Sequence, residues 1–214
     1  MNDMNLQNLF SKRILPAITF DRAEDAEPTA RALFKAGLNV MEIPFRTEVA
    51  AECIRKLVEN VPEMHVGAGT ILTVEQVHQA KEAGAKFGLA PGFNPKVVTE
   101  SFKIGFPFIP GIMTPSELEL AFEMGCKILK IFPVSLAGGA DFIKAISGPY
   151  QHLGLQFIPM GGINLENMNN YLRFPEVMAV GGSWLVQDKF IREGDFLTIS
   201  KNVEETLAHA IVQK

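Results

Sequence analysis

Short apolar, β-forming runs alternate with amphipathic helical stretches eight times along the 214-residue chain. That rhythm predicts an α/β protein with a parallel sheet, and eight units in succession predict a single (β/α)8 TIM barrel with a short N-terminal helix. Two further observations favour a closed barrel over an open doubly wound sheet. Glycine or proline stands at nearly every join, and no GxGxxG turn follows the first apolar run. A barrel of this kind takes about 250 residues. The chain therefore holds one domain, 1–214, and no composition shift or low-complexity linker marks a second.

The elements follow in order. A polar leader with a short helix over 4–12 precedes a strand at 14–20 and a helix at 26–36, closed by Gly37. Strand 40–45 leads to helix 48–60, strand 64–70 to helix 74–83, and strand 86–90 to helix 96–104. Strand 106–109 precedes helix 115–124, with Gly125 behind it, and strand 126–133 precedes helix 140–146. Strand 155–159 precedes helix 166–173, and strand 177–180 leads to the last helix, near 195–212. β-Branched and aromatic residues mark the strands, and apolar residues recur every three or four positions in the helices.

Composition narrows the function classes. Hydrophobic residues make up 47% and charged residues 21% of the chain, as in an ordinary globular protein. The net charge of −4 argues against a nucleic-acid partner. No apolar run approaches the roughly 18 residues of a membrane span, and residues 1–10 lack the basic start and apolar core of a signal peptide. Cys53 and Cys126 are the only cysteines and stand far apart, which suggests neither a disulfide framework nor a zinc site. A cytoplasmic location with reduced thiols is the simplest expectation.

The run Cys126-Lys127-Ile128-Leu129-Lys130-Ile131-Phe132-Pro133 carries the strongest chemical signal. Lys127 can lie at the strand entrance. Lys130 shares a strand face with Ile128 and Phe132, where an ammonium is expensive, and a neutral amine is what a Schiff-base nucleophile must be. A lysine that snorkels from the strand end or pairs with a carboxylate is the structural alternative. In a barrel, chemistry gathers at the C-terminal ends of the strands. Glu42, Arg46 and Thr70 break the apolar pattern at such ends, where Pro91-Gly92 and Pro110-Gly111 also fall. An acid, an arginine, a threonine and a lysine converging on one mouth point to a reaction site. Gly161-Gly162 follows the seventh strand and Gly181-Gly182 the eighth, the positions where barrels bind phosphate through backbone N–H groups. His65, at a strand start, and His78, His152 and His209 share no ligand spacing. Trp184 and the 16 phenylalanines read as core or interface. Of these, Phe102, Phe106, Phe122 and Phe142 lie where some face outward and could form an oligomer contact.

These stretches resemble the 2-keto-3-deoxy-6-phosphogluconate (KDPG) aldolase / 4-hydroxy-2-oxoglutarate (KHG) aldolase family. The resemblance runs from about Ile14 to the final helix. It rests on Glu42-Ile43-Pro44-Phe45-Arg46-Thr47-Glu48, Gly67-Ala68-Gly69-Thr70-Ile71-Leu72, Ala90-Pro91-Gly92, Ile109-Pro110-Gly111-Ile112, Lys130-Ile131-Phe132-Pro133, Gly161-Gly162-Ile163 and Gly181-Gly182-Ser183-Trp184. It implies a homotrimeric barrel enzyme without metal or cofactor. The reaction implied is class I (Schiff-base) cleavage of a phosphorylated keto acid, foremost KDPG, to pyruvate and glyceraldehyde 3-phosphate. KHG or phosphogalactonate-type cleavage, or a non-catalytic phosphate-sugar-binding barrel, are the alternatives. Residue by residue, it makes Lys130 the Schiff-base lysine and Glu42 the general acid/base. It puts Arg46 and Thr70 at the pyruvate carboxylate, Gly161, Gly162, Gly182 and Ser183 at the phosphate, and Pro91 and Phe132 against the substrate. Met160 departs from the pattern, standing where most KDPG enzymes carry threonine before the first glycine pair.

Overall fold

In the computed structural model, residue 6 and residues 8–211 are described. The strands among them are β1 (Ile14–Pro16), β2 (Val40–Pro44), β3 (His65–Gly69), β4 (Phe87–Leu89), β5 (Phe108–Ile109), β6 (Gly111–Ile112), β7 (Ile128–Ile131), β8 (Gln156–Pro159) and β9 (Val180–Gly182). The helices between and after them are α1 (Ala26–Lys35), α2 (Ala50–Asn60), α3 (Val74–Glu82), α4 (Pro95–Lys103), α5 (Pro115–Glu123), α6 (Ala140–Ser147), α7 (Met168–Leu172), α8 (Asp188–Arg192) and α9 (Phe196–His209).

All pairings are parallel and they run round a ring. β2 to β5 form one ladder and β6 to β8 another, while β1 pairs with β9. Ala17 opposite Glu42 joins β1 to β2, and Phe157 opposite Val177 and Met160 opposite Gly181 join β8 to β9. β5 and β6 are one barrel strand interrupted at Pro110, which has no N–H to give the ladder. Its carbonyl still accepts from Lys130 N at 2.9 Å, so the ring closes as a (β/α)8 barrel.

The strands are short and almost wholly buried, as expected where side chains fill one side and helices cover the other. At the N-terminal end the rings of Phe10 and Phe87 meet edge to face at 5.3 Å. Phe87 lies over Gly67, where a Cβ would come within 2.2 Å of its ring. At the opposite end the loops entering α3 and α5 are fixed by capping boxes, Thr73 with Gln76 and Thr114 with Glu117. Asn94 caps α4. Such caps are worth about 1 kcal/mol each, and they hold three loops of the reactive end in place.

Several expectations needed adjustment. The eighth strand lies at Val180–Gly182 and not at 177–180. Its ladder partner β1 begins only at Ile14, and Val177 instead gives its carbonyl to Arg13. The sequence reading missed α8 and the 3-10 turns Ala23–Asp25 and Gly148–Leu153, each too short to show a period. The N-terminal helix over 4–12 falls partly outside the described residues, although Leu6, Asn8 and Leu9 are helical, and the last helix ends at His209. None of the four chosen phenylalanines is exposed. Phe106 is buried, and Phe102, Phe122 and Phe142 pack half-buried against the core. Among the described residues no helix is long and apolar enough to cross a membrane.

Candidate active site

Glu42 sits near the end of β2 and Lys130 near the end of β7, both pointing into the barrel mouth. Lys130 Nζ lies 3.9 Å from Glu42 Oε1, with side chains 6% and 2% exposed. That distance permits charge attraction but no hydrogen bond. Glu42 Oε2 is buried without a hydrogen-bond partner among the described residues. Lys130 Nζ is 5.3 Å from the centre of the Phe132 ring. The carboxylate fits because the neighbouring strand has no side chain there: a Cβ on Gly69 would lie 1.7 Å from Glu42 Oε1. A buried, incompletely satisfied carboxylate beside an amine is costly for stability and well placed for moving protons.

The pair opens into a cavity of about 500 Å³. Arg46 and Phe132 line it, as do Gly161, Gly162, Gly182 and Ser183. Gly161 and Gly162 have φ of 93° and 79°, the left-handed region that glycine occupies without strain. A Cβ on Gly162 would also strike the Ser135 hydroxyl at 2.3 Å. The loop is tied behind by reciprocal bonds between Asn164 and Asn167, each backbone N–H donating to the other's side-chain oxygen at 2.9 and 3.0 Å. Asn167 also donates to the Gly162 carbonyl at 2.9 Å.

Two expected site residues, Thr70 and Pro91, do not line this cavity. Thr70 is half-buried just beyond Gly69, with φ of 54°, an unusual conformation for a β-branched residue. Its neighbours hold it there, since Phe45 N donates to the Gly69 carbonyl and Ile71 N to the Leu89 carbonyl. The Pro91 carbonyl packs against Gly111, where a Cβ would come within 2.2 Å.

Thr19, Trp184 and Asp188 line the cavity and were missed or set aside. Thr19 carried a readable signal, being a polar residue late in an apolar run, the same feature that singled out Glu42. Elsewhere, Lys127 sits 4.2 Å over the Phe122 ring, outside the cavity, and Lys144 is exposed. His65 stands at the N-terminal end, its basicity lowered by burial and secondarily by Lys86.

The sequence profile of the family described as KDPG and KHG aldolase matches residues 6–202. The chain belongs to this family. A 2-dehydro-3-deoxy-phosphogluconate aldolase of Treponema pallidum is 45% identical over 195 residues, 91% of this chain and 92% of that protein. A KHG/KDPG aldolase of Escherichia coli is 39% identical over 197 residues, 92% of each chain. Among solved structures, a KDPG aldolase from Legionella pneumophila holds pyruvate captured at low pH as a covalent carbinolamine intermediate. It superposes with a TM-score of 0.89 at 37% identity, covering 92% of this chain and 96% of that one. The KDPG aldolase of Zymomonas mobilis ZM4 with 3-phosphoglycerate gives 0.89 at 30% identity, covering 97% and 96%. Fold and enzyme family therefore agree with the reading of the sequence.

Proposed function

We propose that this chain is a class I aldolase that cleaves KDPG to pyruvate and glyceraldehyde 3-phosphate. The observation that carries the reading is the buried Lys130–Glu42 pair, 3.9 Å apart, with Glu42 Oε2 free of partners among the described residues, in a glycine-rimmed cavity of about 500 Å³.

Each step uses groups already present. Neutral Lys130 Nζ adds to the C2 ketone, and loss of water leaves an iminium. Glu42 takes the C4 hydroxyl proton. The C3–C4 bond then breaks, its electron pair neutralising the iminium as an enamine and the aldehyde leaving. The proton returns from Glu42 to C3, and water hydrolyses the resulting iminium to pyruvate and the free amine. Arg46 receives the C1 carboxylate, since a guanidinium can bind both oxygens. Thr70, held in its left-handed conformation beside Gly69, is the second donor proposed there, with Phe132 and Pro91 as apolar support. Gly161, Gly162, Gly182 and Ser183 receive the phosphate.

This reading takes 1–214 as one cytoplasmic aldolase domain that works as a homotrimer without membrane or nucleic-acid partners. The exposed Leu72, Val74 and Leu120 side chains are apolar surface of the kind an interface covers. Light scattering at micromolar concentration should read three chain masses, and one chain mass rejects the trimer. Reduction with borohydride in the presence of pyruvate tests the chemistry. The expected result is one covalent adduct per chain, mapped to Lys130. A label on Lys127 or Lys144, or none, overturns the assignment.

A further inference from the structure

The aldolase reading leaves one part of the substrate without a partner. Between the carbon whose bond breaks and the phosphate lies a carbon bearing a hydroxyl, C5. The ring order of the strands indicates what can face it. Going round the mouth from Lys130 on β7, the next strand β8 runs into Met160, and β9 carries Gly182. β1 follows and continues through Ala17, which pairs with Glu42 on β2. Thr19 lies two residues beyond Ala17, on the same face of an extended chain, and both residues line the cavity. A substrate fixed at Lys130 and Glu42 by its keto-acid half, with its phosphate over Gly162 and Gly182, therefore has Met160 on one side of C5 and Thr19 on the other.

The two walls differ chemically. Met160 is 4% exposed and offers a thioether, a weak acceptor and no donor. Thr19 is half-buried, and its hydroxyl makes no hydrogen bond to any described residue. It can both donate and accept. Asp188 lines the same outer wall and has no ion pair among the described residues, but a carboxylate can only accept, and it stands near where a phosphate must lie. We propose that Thr19 is the residue that recognises the substrate hydroxyl next to the phosphate-bearing carbon, so that substrate preference is set from the segment after β1, where Met160 just past β8 has no donor to offer.

The proposal rests on the aldolase reading and is tested in the direction of synthesis, with pyruvate and two aldehydes. Glyceraldehyde 3-phosphate carries the hydroxyl in question, and 3-oxopropyl phosphate lacks it. The readout is the ratio of their kcat/KM values. Thr19→Val keeps the shape and removes the hydroxyl, and should lower that ratio about tenfold, the worth of one well-made neutral hydrogen bond. Thr19→Ser, which keeps the hydroxyl, should hold the ratio close to wild type. Equal losses with both aldehydes leave the ratio where it was and make Thr19 a shape element only, which overturns the proposal, as does an undiminished ratio in Thr19→Val. Pyruvate–borohydride labelling of the same proteins separates the two readings. Labelled wild type with an unaltered ratio in Thr19→Val rejects Thr19 alone, whereas an unlabelled wild type rejects the aldolase and this assignment with it.

Discussion

At the N-terminal end of the barrel, Arg13 is 8% exposed and donates to the carbonyls of Val177 at 2.7 Å and Ile211 at 3.0 Å. At the C-terminal end, Glu42 is more deeply buried, yet one of its oxygens has no partner among the described residues. Both are buried ionisable groups in the same small barrel, and only one is fully employed by the protein. Arg13 ties the start of β1 to the segment before β9 and to the chain beyond α9, and burial lowers its basicity. Glu42 and Lys130 face a cavity of about 500 Å³. The contrast sets a group that ties the barrel closed against a pair that the proposed chemistry would use.

The largest effect that would sharpen this contrast is on turnover. Lys130→Met should keep the circular dichroism of the native barrel while aldol cleavage falls by several orders of magnitude, because the covalent route disappears. Its unfolding midpoint in urea should move less than that of Arg13→Met. Retention of more than a few per cent of activity would break the comparison at its reactive end.

Arg13→Met acts on the other end. Losing a charged donor to two carbonyls, one of them buried, should cost about 2–3 kcal/mol in urea unfolding. The number of pyruvate-trapping sites per folded chain should stay as in wild type. A variant that folds as stably as wild type but traps pyruvate poorly would mean that the two ends are not independent.

The smallest effect concerns His65, at the same end. Burial, helped by Lys86, holds its folded basicity below the ordinary value. The unfolded chain therefore binds the proton more readily, and stability present above about pH 6.5 declines as pH falls toward the lowered folded value. Urea midpoints at pH 7.5 and 5.5 should differ less in His65→Gln than in wild type. An identical pH dependence in both would remove His65 from the account.

Much of this arrangement was legible in the chain. Lys130 and Glu42 stand out because a charge in the middle of an apolar strand has no structural need to be there, and barrel geometry sends both to one mouth. The glycine pairs were readable because their positions follow from counting strands. The end of β9 was not, since its limits depend on where β1 begins, which no local pattern reveals. Thr70 and Pro91 lie at strand ends as expected but outside the cavity wall: Thr70 is itself left-handed, with φ of 54°, and the Pro91 carbonyl packs against Gly111, neither of which a local pattern reveals. Asp188 belongs to the five-residue helix Asp188–Arg192, too short to leave a periodic trace, and only folding brings it to the rim.

Gly69 places a genetic constraint on the barrel. Any side chain at position 69 would occupy the space of the Glu42 carboxylate, so the two positions cannot vary independently. A library randomised at 69 alone should return glycine among active clones. A chain in which position 42 had first shrunk to alanine could accept a methyl group at 69, and from that state glutamate could not be restored in one step. Loss of the acid would act as a ratchet, leaving lineages of this barrel that keep the fold and have no short path back to the reaction.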